Sequence, residues 1–106
     1  DKALNAIRES DGIAVNVSDD EILAAMRLLG RTQGVFGEPA GVTGTAGVKK
    51  ALELGLISPD STVVSIVTGN GLKDVQNGIR AAGEPMLVRP ELDALLDAFA
   101  SHGIAP

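Results

Sequence analysis

No cysteine, tryptophan or tyrosine occurs in these 106 residues, and there are only two phenylalanines and one histidine. Without cysteine there is no disulfide framework, and a lone histidine argues against a zinc site, so no metal ligand is assigned. A basic surplus is also missing. Nine Lys and Arg face fourteen Asp and Glu, a net charge of −5, and the only adjacent basic pair is Lys49–Lys50. That balance argues against nucleic-acid and anionic-membrane partners. No apolar run approaches membrane-spanning length, and the N-terminus has no charged-then-apolar leader pattern. The chain opens at Asp1, directly in a helix-like stretch, and is expected to be a soluble, cytoplasmic fragment whose upstream part is absent.

What is present is small and aliphatic. Apolar residues make up 44% and mean hydropathy is +0.20, too apolar for a disordered tail. With so few aromatics, the core is expected to rest on Ala, Val, Leu and Ile, as in layered α/β proteins. A chain of this length forms one domain at most. Thirteen glycines and five prolines imply many turns, or backbones that approach something closely.

Residues 1–10 read as a helix with Ala3, Leu4 and Ile7 on one side, and Gly12–Val17 as a short strand. Ser18-Asp19-Asp20-Glu21 has the form of a capping box, with Val17 and Ile22 placed for a hydrophobic staple. Ile22, Leu23, Met26 and Leu29 then recur at helical spacing until Gly34. Pro39 can begin a second helix, from about Glu38 to Glu53. In its first half Gly41, Gly44 and Gly47 recur every third residue. Either that face lies against another backbone or a ligand, or the segment is irregular. Lys49 and Lys50 read as solvated.

Thr62–Thr68 (TVVSIVT) is β-branched and apolar on both faces apart from Ser65. This pattern predicts the central strand of a small parallel sheet with helices on both sides. It leads into Gly69-Asn70-Gly71 and a helix with Leu72, Val75, Ile79 and Ala82 on one stripe, ended by Gly83. Met86–Val88 is a short strand or an extended arm. Pro90 starts a last helix with Leu92, Leu95, Leu96 and Phe99 at i, i+3, i+4 and i+7. His102, in its last turn, suits the helix dipole at the surface.

Ligands of open α/β sheets bind beyond the carboxyl ends of strands, which singles out Thr68-Gly69-Asn70-Gly71-Leu72-Lys73-Asp74. A dinucleotide fingerprint would need a small residue where Asp74 stands, and the longer glycine-lysine run of a P-loop is missing. On spacing alone the segment is a tight strand-to-helix turn or a binding loop.

The segments Gly34–Gly41 (GVFGEPAG), Gly55–Asp60 (GLISPD) and Thr68–Asp74 (TGNGLKD) resemble, in order and spacing, the threonine synthase family. So do the flanking Ile7–Ser10 and Val17–Ile22. The likeness covers nearly the whole chain but only the last part of the family's length. It implies a fold-type-II α/β architecture and pyridoxal 5'-phosphate as cofactor, with O-phosphohomoserine and water converted to threonine and phosphate. It also implies that residues 1–106 are a single C-terminal piece of the large, cofactor-binding domain, whose Schiff-base lysine and phosphate-binding loop lie upstream, so that the piece alone is inactive. Its expected partners are the missing N-terminal part and, in the parent, a small-molecule substrate and further copies of the enzyme.

In similar enzymes a hydroxyl at the place of Thr68 bonds the pyridine nitrogen of the cofactor, and Gly69 lets the backbone pass close to the ring. Glu38 matches a glutamate near the cofactor, or serves as a first-turn acid on a helix dipole. Asn70 joins these as a cofactor-site residue, although it stands where the family often has His. Gly37 stands where relatives often have Cys. No catalytic residue is assigned. The alternatives are a threonine dehydratase, a cysteate-synthase-like relative, or a non-catalytic association domain. Leu72-Lys73-Asp74 argues against the dehydratase, and the loop spacing against a nucleotide-binding module.

Overall fold

The computed structural model describes residues 1–104, and within them the chain is helical. Helix α1 covers Lys2–Glu9, α2 Asp19–Gln33, α3 Pro39–Glu53, α4 Val75–Ala82 and α5 Leu92–Ser101, with a single 3-10 turn at Gly71–Lys73.

Local chemistry sets the ends of α2 and α3. The Ser18 hydroxyl accepts from the Glu21 amide while the Glu21 carboxylate accepts from the Ser18 amide, so the capping box forms in both directions. Gly34 closes α2 in the left-handed conformation, at φ 66°, which costs glycine little. Pro39 occupies the first turn of α3, where its missing N–H would have no partner in any case.

The core lies between α2, α3 and α4. Leu23, Ala25, Met26, Val42, Ala46 and Ala81 form one buried cluster, with Val17, Ile22, Leu29, Phe36 and Val67 packed against it. Met26 and Val42 are its largest fully buried side chains. Of the two buried residues of α4, Ala81 belongs to the core cluster beside α2, while Gly78 faces the Gly71 carbonyl and the Phe36 ring. The stripe of Leu72, Val75 and Ile79 faces outward. Close approach on this side of α4 requires small residues, and that requirement overrides the larger apolar ones. Arg27 of α2 strengthens the contact by donating from Nε to the Ala81 carbonyl at 2.7 Å, near the C-terminus of α4.

The expected sheet is not formed among the described residues. Gly12–Val17 and Thr62–Thr68 are extended but carry no ladder bonds, and the one bridge is an isolated antiparallel pair, Gly37 with Asn70. Nor is Thr62–Thr68 covered on both sides: Val64 is 85% exposed and Ile66 77%. The physical reason is geometric. Alternation of β-branched residues prepares a segment for pairing, but a strand exists only when a neighbour supplies the other half of each hydrogen bond. Both segments lie along α3 instead. Gly47 faces Val15 and Gly44 faces Ser65, each leaving room for only a 3.5 Å contact from an added Cβ, and Thr45 and Ser65 share a 3.0 Å hydroxyl bond. The glycine face of α3 is therefore a packing surface for extended backbone.

The ends of the molecule stand apart from this core. Its radius of gyration is 18.1 Å and its longest extent 61 Å, against about 13 Å for a compact chain of this length. Met86–Val88 is an extended arm, with Leu87 99% exposed. Helix α5 has no buried residue.

Candidate functional site

The N-terminus of α3 and the loop after Thr62–Thr68 are brought together by two backbone bonds. The Glu38 amide donates to the Gly69 carbonyl and the Gly71 amide donates to the Phe36 carbonyl, both at 2.8 Å. The contact requires glycine on each side. A Cβ at Gly41 would stand 3.1 Å from the amide nitrogens of both Thr68 and Gly69, and one at Gly71 would run into the Phe36 ring. Gly41 and Gly71 are buried accordingly.

At Gly69 the place of a Cβ is filled by the Glu38 carboxylate. A Cβ at this position would displace the Glu38 side chain. Glu38 is also the N-cap of α3 but makes no side-chain cap bond. Its carboxylate turns away from its own helix, lies over the Gly69 peptide and pairs with the Lys73 ammonium at 3.1 Å.

The rest of the loop is held by short-range bonds. Asn70 Oδ1 accepts from the Leu72 amide at 2.9 Å, which caps the 3-10 turn. Asp74 accepts from the amide and the side chain of Asn77 at the head of α4. Those bonds, first the one from the Asn77 side chain, hold the Asp74 carboxyl below its ordinary range. Thr68 remains exposed, and its hydroxyl makes no hydrogen bond among the described residues.

The four residues singled out by sequence thus form one neighbourhood: Thr68, Gly69 and Asn70 consecutive on the loop, and Glu38 laid across Gly69. The exposed Thr68 hydroxyl can donate one hydrogen bond and accept others. Sequence reasoning did not find the Lys73 ion pair, although Lys73 lies inside the quoted motif. Its signal would have been one acidic and one basic residue in two motifs that pack together. Lys50 is a correction. It is half-buried and bonded to Glu21 across α2 and α3, whereas Lys49 is exposed and paired with Glu53. His102 is exposed, with Nδ1 2.9 Å from the Ala98 carbonyl at the end of α5. Among the described residues no cluster of three or more His, Cys, Asp or Glu is placed to hold a metal, and no helix is long and apolar enough to cross a membrane.

The N-terminus of α3 and the loop that carries the Thr68 hydroxyl thus meet at a glycine-lined contact. Residues 1–69 match the sequence model of the pyridoxal-phosphate dependent enzymes, and the chain belongs to that family, of which fold type II is the architecture. It is similar to the threonine synthase of Methanosarcina acetivorans, 47% identical over 98 residues, which are 92% of this chain and 24% of that protein. The threonine synthase of Methanocaldococcus jannaschii is 47% identical over 94 residues, 89% of this chain and 23% of that protein. That of Bacillus sp. strain ULM1 is 51% identical over 72 residues, 68% of this chain and 20% of that protein. The chain spans about a quarter or less of the length of these relatives.

Proposed function

We propose that this chain is the C-terminal part of the cofactor-binding domain of a threonine synthase, and that it carries the ring-nitrogen end of the pyridoxal-phosphate site. The enzyme so formed converts O-phosphohomoserine and water to threonine and phosphate. The observation that carries the reading is the free Thr68 hydroxyl, carried on backbone that packs against Gly41 and Glu38.

Bound pyridoxal phosphate supplies an electron sink for elimination and replacement at the substrate's side chain. Thr68 holds the ring nitrogen by donating its hydroxyl proton, which stays on Oγ1. A neutral donor leaves that nitrogen unprotonated, where a carboxylate would favour its protonation. Gly69 and Asn70 would contribute to holding the cofactor, and Glu38 packs against the Gly69 backbone. Lys49 and Lys50 are both engaged in ion pairs on α3, and we assign neither to the covalent cofactor link. That lysine and the phosphate-binding loop belong to other parts of the enzyme.

The same reading accounts for the unpaired backbone of Thr62–Thr68 and for bare Val64 and Ile66. Neighbouring strands of the same enzyme pair with that backbone and cover those side chains. The whole enzyme is cytoplasmic and assembles with further copies of itself.

The test is phosphate release from O-phosphohomoserine with threonine as the second product. The full-length enzyme is expected to turn over, and residues 1–106 alone to give no release and to scatter light by self-association. Turnover by a monodisperse monomer of residues 1–106 would overturn the reading. So would a full-length enzyme that deaminates threonine and releases no phosphate.

A further inference from the structure

Lys73 differs from the other polar side chains of the loop in where it bonds. Asn70 and Asp74 bond within the loop or to the start of α4, whereas Lys73 reaches out of the loop to Glu38 at the head of α3. The two partners differ in environment: the Glu38 side chain is 19% exposed and that of Lys73 65%. An exposed lysine adds little to folding stability through such a pair. It does neutralise a carboxylate that has given up its local capping role to lie over Gly69, the residue next to Thr68.

We propose that Lys73 is a positioning residue: its ammonium group holds the Glu38 carboxylate over the Gly69 peptide and balances its charge, so that the neutral Thr68 hydroxyl alone sets the electronic state of the cofactor's ring nitrogen. This rests on the cofactor reading above. An unbalanced carboxylate at Gly69 would favour protonation at the ring, opposing what a hydroxyl donor achieves. The other charged groups on the packed elements lie elsewhere: Arg27 of α2 is bonded to the Ala81 and Arg80 carbonyls, and Arg31 stands in the last turn of α2. Glu21 of α2 is bonded to Lys50, Lys49 pairs with Glu53 on α3, and Asp74 is bonded to Asn77, with Arg80 also bonded to Asn77. Asp19 and Asp20 lie in the first turn of α2, at its capped end.

The experiment records the visible absorbance of the cofactor-loaded, full-length enzyme across pH. The variants are Lys73→Met, Lys73→Arg, Glu38→Gln and the double Glu38→Gln/Lys73→Met. Lys73→Met is expected to move the absorbance transition to higher pH by about half a unit to one unit, roughly three- to tenfold in the proton equilibrium. Glu38→Gln, which leaves the lysine charge unbalanced, moves it to lower pH. The double variant returns to the unsubstituted position, and Lys73→Arg stays there. No shift in Lys73→Met, shifts of the same sign in the two single variants, or an arginine variant that behaves like the methionine one would each overturn the inference. Lys73→Gln repeats the first arm should the methionine variant not fold. If the unsubstituted enzyme takes up no cofactor chromophore, the cofactor reading fails and this inference with it. Bound cofactor with an unmoved transition overturns this inference alone.

Discussion

The two oxygens of the Glu21 carboxylate serve two different helices, because Oε2 accepts from the Ser18 amide to complete the cap of α2 while Oε1 accepts from Lys50 of α3. A local helix-start signal is thereby converted into a tie between two elements 29 residues apart.

That double use predicts a fold that loses stability in acid. The Lys50 bond first, and then the bonds to Ser18, lower the Glu21 pKa from its ordinary 4.5 to about 2. A carboxylate with a depressed folded-state pKa stabilises the fold above the unfolded value and loses that contribution as pH falls through the folded one. The stabilisation should be complete above about pH 4.5 and fade toward about pH 2. Thermal unfolding followed against pH should show a falling acid limb, flattened in Glu21→Gln. An acid limb of equal slope in that variant would contradict the assignment. Lys50, raised by the same bond, adds the mirror effect, lost only as pH rises beyond its ordinary range.

Two glycines on one face of α3 should respond in opposite ways to alanine. At Gly44 the nearest atom to an added Cβ is Ser65 Oγ at 3.5 Å, an ordinary contact, so helix propensity decides and stability should rise by up to about 1 kcal/mol. At Gly41 the added Cβ meets two backbone nitrogens at 3.1 Å, and backbone does not yield as a side-chain tip does. Gly41→Ala should displace Thr68–Gly69 and weaken cofactor binding, whatever it does to the helix. Paired thermal melts and cofactor titrations distinguish the two, and equal behaviour of both variants would count against the packing described.

Arg27→Met should loosen α4 from α2. The guanidinium bond to Ala81 is part-buried and charge-assisted, so its removal should cost about 1–2 kcal/mol while the aliphatic stem is retained. Hydrogen exchange should quicken at the amides of Val75–Ala82 more than at those of the buried half of α2. Uniform quickening across both helices would show that the two unfold as one unit.

Thr68→Val tests the site with little disturbance to the fold. The hydroxyl is exposed and unbonded among the described residues, so stability should change by no more than about 0.5 kcal/mol. Cofactor affinity and turnover of the full enzyme should fall together, because one donor is lost while shape is nearly conserved. Unchanged turnover would remove Thr68 from the site.

Elements governed by near neighbours in sequence were readable without a structure. The Ser18 cap, the left-handed Gly34 and Pro39 at the first turn of α3 all act within a few residues of where they stand, so residue type alone implies them. The grouping of Glu38, Thr68, Gly69 and Asn70 was reached by resemblance, since spacing by itself left the loop open between a turn and a site.

The sequence by itself determined where these helices begin and end, which residues are prepared for extended backbone, and the family to which the chain belongs, because each depends on local chemistry or on the order of short motifs. Only the tertiary structure decided that Thr62–Thr68 lies along the glycines of α3 without strand neighbours among the described residues, that α4 buries Gly78 and Ala81 in place of its larger stripe, and that Glu38 turns to Gly69 and Lys73. Strand pairing, close helix approach and ion pairing each need a partner distant in the chain, and such a partner is supplied only when folding brings it within reach.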